Sequence, residues 1–271
     1  MQGRLSPIVD GKIQTFPVNN WENEIKEASN IGFNLMEWTL DYDGLLKNPL
    51  MTKHGNYRIT RLCNEFKIQI KSVTADCFMQ KPFWKLSDDE LFYHKKIFLK
   101  VVHACSSLGI NIIVVPLVDN GSITNSNELK IFSEFISSNS ELFLASKIKI
   151  AIESDFEPKK LAKFTNNFDS RIFGINYDTG NSAGLGFYPE DEFNAYHERI
   201  INIHFKDRVL GGATVPFGQG DTNFILLIKL INEINYDKNF ILQGARSYNN
   251  KHSEALIEYK KFLNNIFNKA S

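Results

Sequence analysis

IKIAIES (148–154), IFGINYD (172–178) and INIHFKD (201–207) are three short runs that decide how this chain folds. Each is apolar almost to its end and then closes on a polar group: Glu153, Asp178, and His204 with Lys206 and Asp207 behind it. A strand with one wet face alternates apolar and polar residues, whereas a strand covered on both faces stays apolar along its length. These runs read as the second kind. Four more of the same character lie outward from them, at FNLMEW (33–38), IQIKSVTA (68–75), INIIVVPLV (110–118) and NFILQGA (239–245). The intervening stretches are amphipathic with helical spacing, such as WENEIKEASNIG (21–32), DDELFYHKKIFLKVVHACSSLG (88–109) and SEALIEYKKFLNNIF (253–267). Gly32 and Gly109 stand where a helix ends in a left-handed residue just before the next strand.

Regular alternation of strand and helix with short connections predicts a parallel sheet. With MQGRL (1–5) as a first strand, the 271 residues divide into eight βα units of about 34 residues each. That arithmetic predicts an α/β fold of the closed (β/α)₈ (TIM) barrel type, as one domain over residues 1–271. No G-x-G-x-x-G follows an early strand, which argues against dinucleotide binding.

The composition narrows the partners. Lys+Arg and Asp+Glu both total 31, so the chain is neutral and has no electrostatic footprint for nucleic acid. Hydrophobic residues make up 43%, enough for a substantial core. Cys63, Cys77 and Cys105 are far apart and form no C-x-x-C pair, which predicts reduced thiols and a cytoplasmic setting. The opening MQGRLSPIVDGK has no apolar h-region, and no run approaches the ~20 apolar residues of a membrane helix. A membrane partner is therefore not expected.

Active sites of such barrels lie at the C-terminal ends of the strands. Restricted to those ends, the polar candidates on the last four strands are Glu153, Asp178, His204 and Gln243. Two carboxylates, an imidazole and an amide oxygen make a mixed donor set suited to Mn²⁺, Zn²⁺, Mg²⁺ or Co²⁺.

AIESD (151–155), YDTGNSAGLG (177–186), IHFKDR (203–208) and GQGD (218–221), in this order, resemble the xylose isomerase-like barrel superfamily of sugar phosphate isomerases and epimerases. MQGRLSP (1–7), GNSAGLG (180–186) and LQGAR (242–246) are similar to one branch associated with surface-sugar biosynthesis. The resemblance spans nearly the whole chain. It implies one divalent metal on Glu153, Asp178, His204 and the position of Gln243, a small sugar or sugar-phosphate substrate, and a homo-oligomer. Two positions depart from the family pattern. The fourth ligand, normally Glu, is Gln243, and Asn181 stands where many family epimerases carry His. An amide can ligate but cannot accept a proton.

The chemistry implied is removal of a proton next to a carbonyl, with an enediolate as intermediate and Glu153 as base. Epimerisation needs a base on each face, so Gln243 leaves one-base isomerisation as the simpler fit, unless Glu37 (with Asp41 behind it) serves the second face. Lys206 is a candidate donor to a substrate oxyanion. Asp207 reads as a residue that orients a ligand or Lys206, or that meets the substrate. Arg4, Arg208 and Arg246, with Gly211-Gly212 and Gly218-x-Gly220, are the candidates for holding a phosphate or carboxylate. Of Trp38, Phe78, Phe83, Trp84 and Phe187, in or near the active-face loops, one or two are expected to form an apolar wall against a sugar ring and most to be ordinary packing. The superfamily's endonuclease IV, which needs a His-rich trinuclear site and a basic face, does not fit six histidines and zero net charge. A keto-polyol dehydratase on the same metal and a non-catalytic sugar-binding barrel remain as alternatives.

Overall fold

The computed structural model describes residues 4–8, 11 and 14–270. Seven strands, β1 (Leu35–Thr39), β2 (Gln69–Thr74), β3 (Ile112–Leu117), β4 (Lys149–Ser154), β5 (Phe173–Asp178), β6 (Ile200–Phe205) and β7 (Asn239–Leu242), pair in chain order, every neighbour parallel. All seven runs read as strands are strands, and helices pack over the outside as in a TIM barrel. Gly32 (φ 79°) and Gly109 (φ 69°) do end their helices in the left-handed conformation. The expected first strand at 1–5 falls partly outside the described residues, and Arg4 and Leu5 carry no strand assignment. The segment is held otherwise. Arg4 Nη1 donates to the Gly244 carbonyl at 3.0 Å, beyond β7, and the Glu24 carboxylate accepts from the Leu5 and Ser6 amides at 2.8 and 2.6 Å.

Alternation along the strands sorts the side chains into two populations. On β4, Ile150 and Ile152 join the large apolar layer between sheet and helices. Ala151, between them, packs with Ile112, Val114 and Ile201 in a small separate cluster inside the barrel. Glu153 follows Ala151 by two residues and so shares its inward face. Two register shifts adjust the phase. Met36 and Glu37 pair with Ile70 and Ser72, and Ile175 and Asn176 pair with Ile200 and Asn202. Each skips one residue, as a bulge does, and such bulges re-aim side chains near functional sites. The result is a polar layer of Glu37, Ser72, Thr74, Asn176, Asn202 and His204 within the barrel. No helix among the described residues is long and apolar enough to cross a membrane.

The connection after β6 carries a correction. Asp207, expected near ligand, lysine or substrate, is fully buried and accepts from the amides of Gly218 (2.8 Å), Gly220 (3.0 Å) and Thr222 (3.2 Å). The anion cradle expected at Gly218-x-Gly220 is thus filled by the chain's own carboxylate. Gly220 is required by this arrangement, since a Cβ there would lie 2.3 Å from Asp207 Oδ1. Hydrogen bonds to a charged acceptor are among the stronger ones. Asp207→Ala is therefore expected to destabilise the protein by about 2–3 kcal/mol and to release the Gly218 and Gly220 amides to fast hydrogen exchange, read by denaturant melts and exchange mass spectrometry.

Candidate metal centre and the barrel mouth

His204, on β6, has no exposed surface, and its Nε2 lies 2.8 Å from Glu37 Oε1, also fully buried. The Glu37 carboxylate takes hydrogen bonds from the Ser72 hydroxyl (2.6 Å), the Thr74 hydroxyl and Asn202 Nδ2 (3.2 Å). Burial works against a charged imidazole, but the Glu37 charge, its contact with the ring and the nearby Glu153 carboxylate outweigh it and raise the His204 pKa to about 10. Burial likewise opposes ionisation of Glu37, and the His204 charge with three hydroxyl and imidazole hydrogen bonds holds its pKa below the usual range. Glu37 therefore departs from the role of second base. It lies under the imidazole, accepts from Nε2, and leaves Nδ1 facing the mouth.

Nδ1 is 3.5 Å from Glu153 Oε2 and 3.8 Å from Asp178 Oδ2. One ligand atom from each of Glu153, Asp178 and His204 lies within 4.8 Å of the others, and all three residues are buried. Asp178 ends β5 and caps the helix Thr179–Leu185, accepting the Asn181 amide at 2.8 Å. Its other oxygen meets Lys206 Nζ at 2.8 Å. Burial opposes the Asp178 charge, but Lys206 and His204 hold the carboxyl below its ordinary pKa. Gly180 makes the lysine's path possible, because a Cβ there would come within 2.6 Å of the Lys206 stem. Asn181 Nδ2 donates to Glu153 Oε1, Asn176 Nδ2 holds Oε2 at 3.0 Å, and Arg208 Nη1 donates to Asn181 Oδ1 at 2.9 Å.

This group fits a divalent cation. His204 Nδ1 is buried beside two carboxylates without a hydrogen-bond partner among the described residues, and Gln243 Oε1, past β7, is likewise buried and unpartnered among them. Gln243 follows β7, is 3% exposed, and turns its Nε2 to Gln14 Oε1 at 3.3 Å.

The other expected contacts distribute unevenly. Arg4 is buried, and its Nη2 donates to Gln14 Oε1 at 2.7 Å; burial and the Arg246 charge lower its pKa to about 10, so it stays charged. Arg246 Nη1 donates to the Ser6 carbonyl at 2.6 Å, and Arg208 Nη2 to the Gly212 carbonyl at 2.8 Å, so both guanidinium groups brace backbone. Trp38, Phe78, Phe83 and Trp84 are core residues with almost no exposed surface, and Trp38 and Trp84 bond Asn48 and the Gly121 carbonyl. Phe187 lines a small cavity beside Glu153 and Asp178. Two residues at the mouth escaped the sequence reading. Gln14 donates to Asp76, which is 5% exposed and opens the short helix that follows β2. A groove of about 700 Å³ opens beside them, between residues 15–20 and 41–49.

With the His204 pKa raised to about 10 by its glutamate neighbours, ligation at neutral pH should expel a proton, and metal affinity should rise with pH. Calorimetric titration with Mn²⁺ at pH 7 in buffers of different ionisation enthalpy is expected to show release of about one proton. Glu37→Gln should weaken Mn²⁺ by about 10–100-fold, as loss of a partner that orients a ligating histidine does. Unchanged affinity would remove Glu37 from that role.

The chain is similar to several known proteins. SgbU of Haemophilus influenzae, which carries the name of an L-ribulose-5-phosphate 3-epimerase, is 24% identical over 259 residues, 90% of each chain. A crystal structure of a D-psicose 3-epimerase in the presence of D-fructose superposes with a TM-score of 0.73 at 12% identity, covering 91% of this chain and 93% of that one. A barrel from Mycobacterium smegmatis in complex with magnesium gives a TM-score of 0.69 at 14% identity, over 95% of this chain and 91% of the other. The family model of the xylose isomerase-like TIM barrel matches residues 25–264, and this chain belongs to that family.

Proposed function

We propose that this protein is a divalent-metal-dependent epimerase or isomerase that moves a proton at the carbon beside the carbonyl of a small ketose or ketose phosphate. The observation that carries this reading is the buried Glu153–Asp178–His204 cluster at successive strand ends. A Mn²⁺, Mg²⁺, Zn²⁺ or Co²⁺ ion held by these three, with Gln243 as fourth ligand, would act as a Lewis acid for the oxyanion that forms.

The chain's own groups supply the rest. Glu153, gripped by Asn176 and Asn181, takes the proton with its carboxylate held in one orientation. Lys206, 12% exposed, gives an ammonium that can turn from Asp178 to a developing oxyanion. Asn181, held by Arg208, keeps Glu153 in place. Burial of the whole set excludes water from a reactive intermediate. The names of the relatives support ketose chemistry, and the relative crystallised with magnesium supports the metal.

The test uses the Mn²⁺-loaded protein in D₂O with L-ribulose 5-phosphate, D-psicose and D-fructose, followed by NMR. Deuterium is expected at the carbon beside the carbonyl of at least one of them. Glu153→Gln, with its fold checked by circular dichroism, should slow that exchange by about 10²–10⁴-fold. Water loss from a keto-polyol in place of exchange would make the protein a lyase and sink the proposal.

A further inference from the structure

We propose that Asp76 is a second catalytic residue, the proton-transfer group that serves the face of the substrate not served by Glu153. This inference rests on the reading of the reaction as proton transfer beside a carbonyl. Epimerisation requires a group on each face, and Gln243, at the position of the family's second carboxylate, cannot move a proton.

Most other carboxylates near the mouth are committed, and Asp155, past β4, is only half-buried and accepts from the Ser122 hydroxyl. Glu37 lies beneath His204, Asp207 binds three loop amides, and Asp178 is held by Lys206 and the Asn181 amide. Asp41 accepts the Phe16 amide at 2.6 Å and Gln80 Nε2 at 2.9 Å, and Glu24 accepts two backbone amides. The Asp76 carboxylate differs. It is bound by one side-chain amide, that of Gln14, and by nothing else among the described residues.

That amide also shows what fits there. Gln14 Oε1 accepts from Arg4 Nη2 (2.7 Å) and Gln243 Nε2 (3.3 Å), while its Nε2 donates to Asp76 Oδ2. An acceptor oxygen next to a hydrogen donor is the pattern an α-hydroxy ketone presents. A ketose that displaces the Gln14 side chain would set an oxygen against Arg4 and Gln243 and its reacting end against Asp76. Burial and the nearby Asp41 charge raise the Asp76 pKa to about 7, with Glu153 adding to the rise, so acid and base forms coexist near neutral pH.

The step balances. The Glu153 carboxylate takes the proton as the C–H bond breaks, and its electron pair forms the C=C bond of an enediolate while the carbonyl oxygen becomes an oxyanion. Asp76, as the carboxylic acid, then returns a proton to the opposite face; the C–H bond reforms, the carbonyl is restored, and the epimer leaves. Glu153 ends protonated and Asp76 ionised, and exchange with solvent resets both.

The test is Asp76→Asn, loaded with Mn²⁺, given L-ribulose 5-phosphate and, separately, its C3 epimer in D₂O. Net epimerisation is expected to fall at least about 100-fold. Deuterium should still enter one of the two epimers without conversion, because Glu153 continues to work on its own face. Mn²⁺ affinity by calorimetry should match wild type, and adding Gln243→Glu should restore part of the epimerisation. Epimerisation within threefold of wild type would overturn the proposal, as would loss of exchange from both epimers at unchanged Mn²⁺ affinity. If wild type exchanges neither epimer nor the other ketoses, the reading of the reaction fails and the role of Asp76 with it.

Discussion

The imidazole of His204 and the carboxylate of Glu37, 2.8 Å apart inside the barrel with no exposed surface on either, set the terms for everything above them. Taking two opposite charges out of water costs several kcal/mol for each ion, and only close contact with full hydrogen bonding offsets it. Ser72, Thr74 and Asn202 provide that bonding. Asn202 also donates to Asn176 at 2.8 Å, and Asn176 to Glu153, so the grip on His204 is continuous with the grip on the candidate base. The two bulges that let Ser72 and Asn202 face this layer are consequently part of the site.

Above that pair, charge is balanced at close quarters. Glu153 and Asp178 face a protonated His204 and the Lys206 ammonium, an arrangement in which a divalent ion can replace the ring proton and free the lysine. The loop after β6 is made rigid from within by Asp207, which frees the metal side of the mouth from dependence on that loop's glycines. On the other side the enclosure is built from the N-terminal segment, where Arg4 and Gln14 reach Gly244, Gln243 and Asp76.

The strands and the meeting of Glu153, Asp178 and His204 were legible because their signal is local. A doubly covered strand must be apolar, and a polar group closing such a run has few structural reasons to be there. Glu37 ends its run in the same manner as Glu153, so sequence could not separate a residue beneath the histidine from one beside the substrate. The difference lies in register, since Ser72 and Thr74 reach Glu37 only across a bulge. Asp207 was equally opaque: its three amide partners lie 11 to 15 residues further on, and a G-x-G written before Asp221 looks the same whether its anion is a phosphate or the chain's own carboxylate. Gln14 and Asp76, 62 positions apart, meet only when the barrel closes. Residues 1–3 of the expected first strand lie outside the described residues.

What unites these observations is a candidate metal site with three ionisable side chains and a neutral amide in the fourth place. The account requires that a cation take the space between Glu153, Asp178 and His204 Nδ1, above the Glu37 pair. An anomalous difference map from crystals soaked in Mn²⁺ tests this most directly. The account predicts one strong peak within about 2.0–2.5 Å of all three side chains, with Gln243 Oε1 turned toward it. A peak elsewhere, or none at these ligands in the presence of the ion, would contradict it.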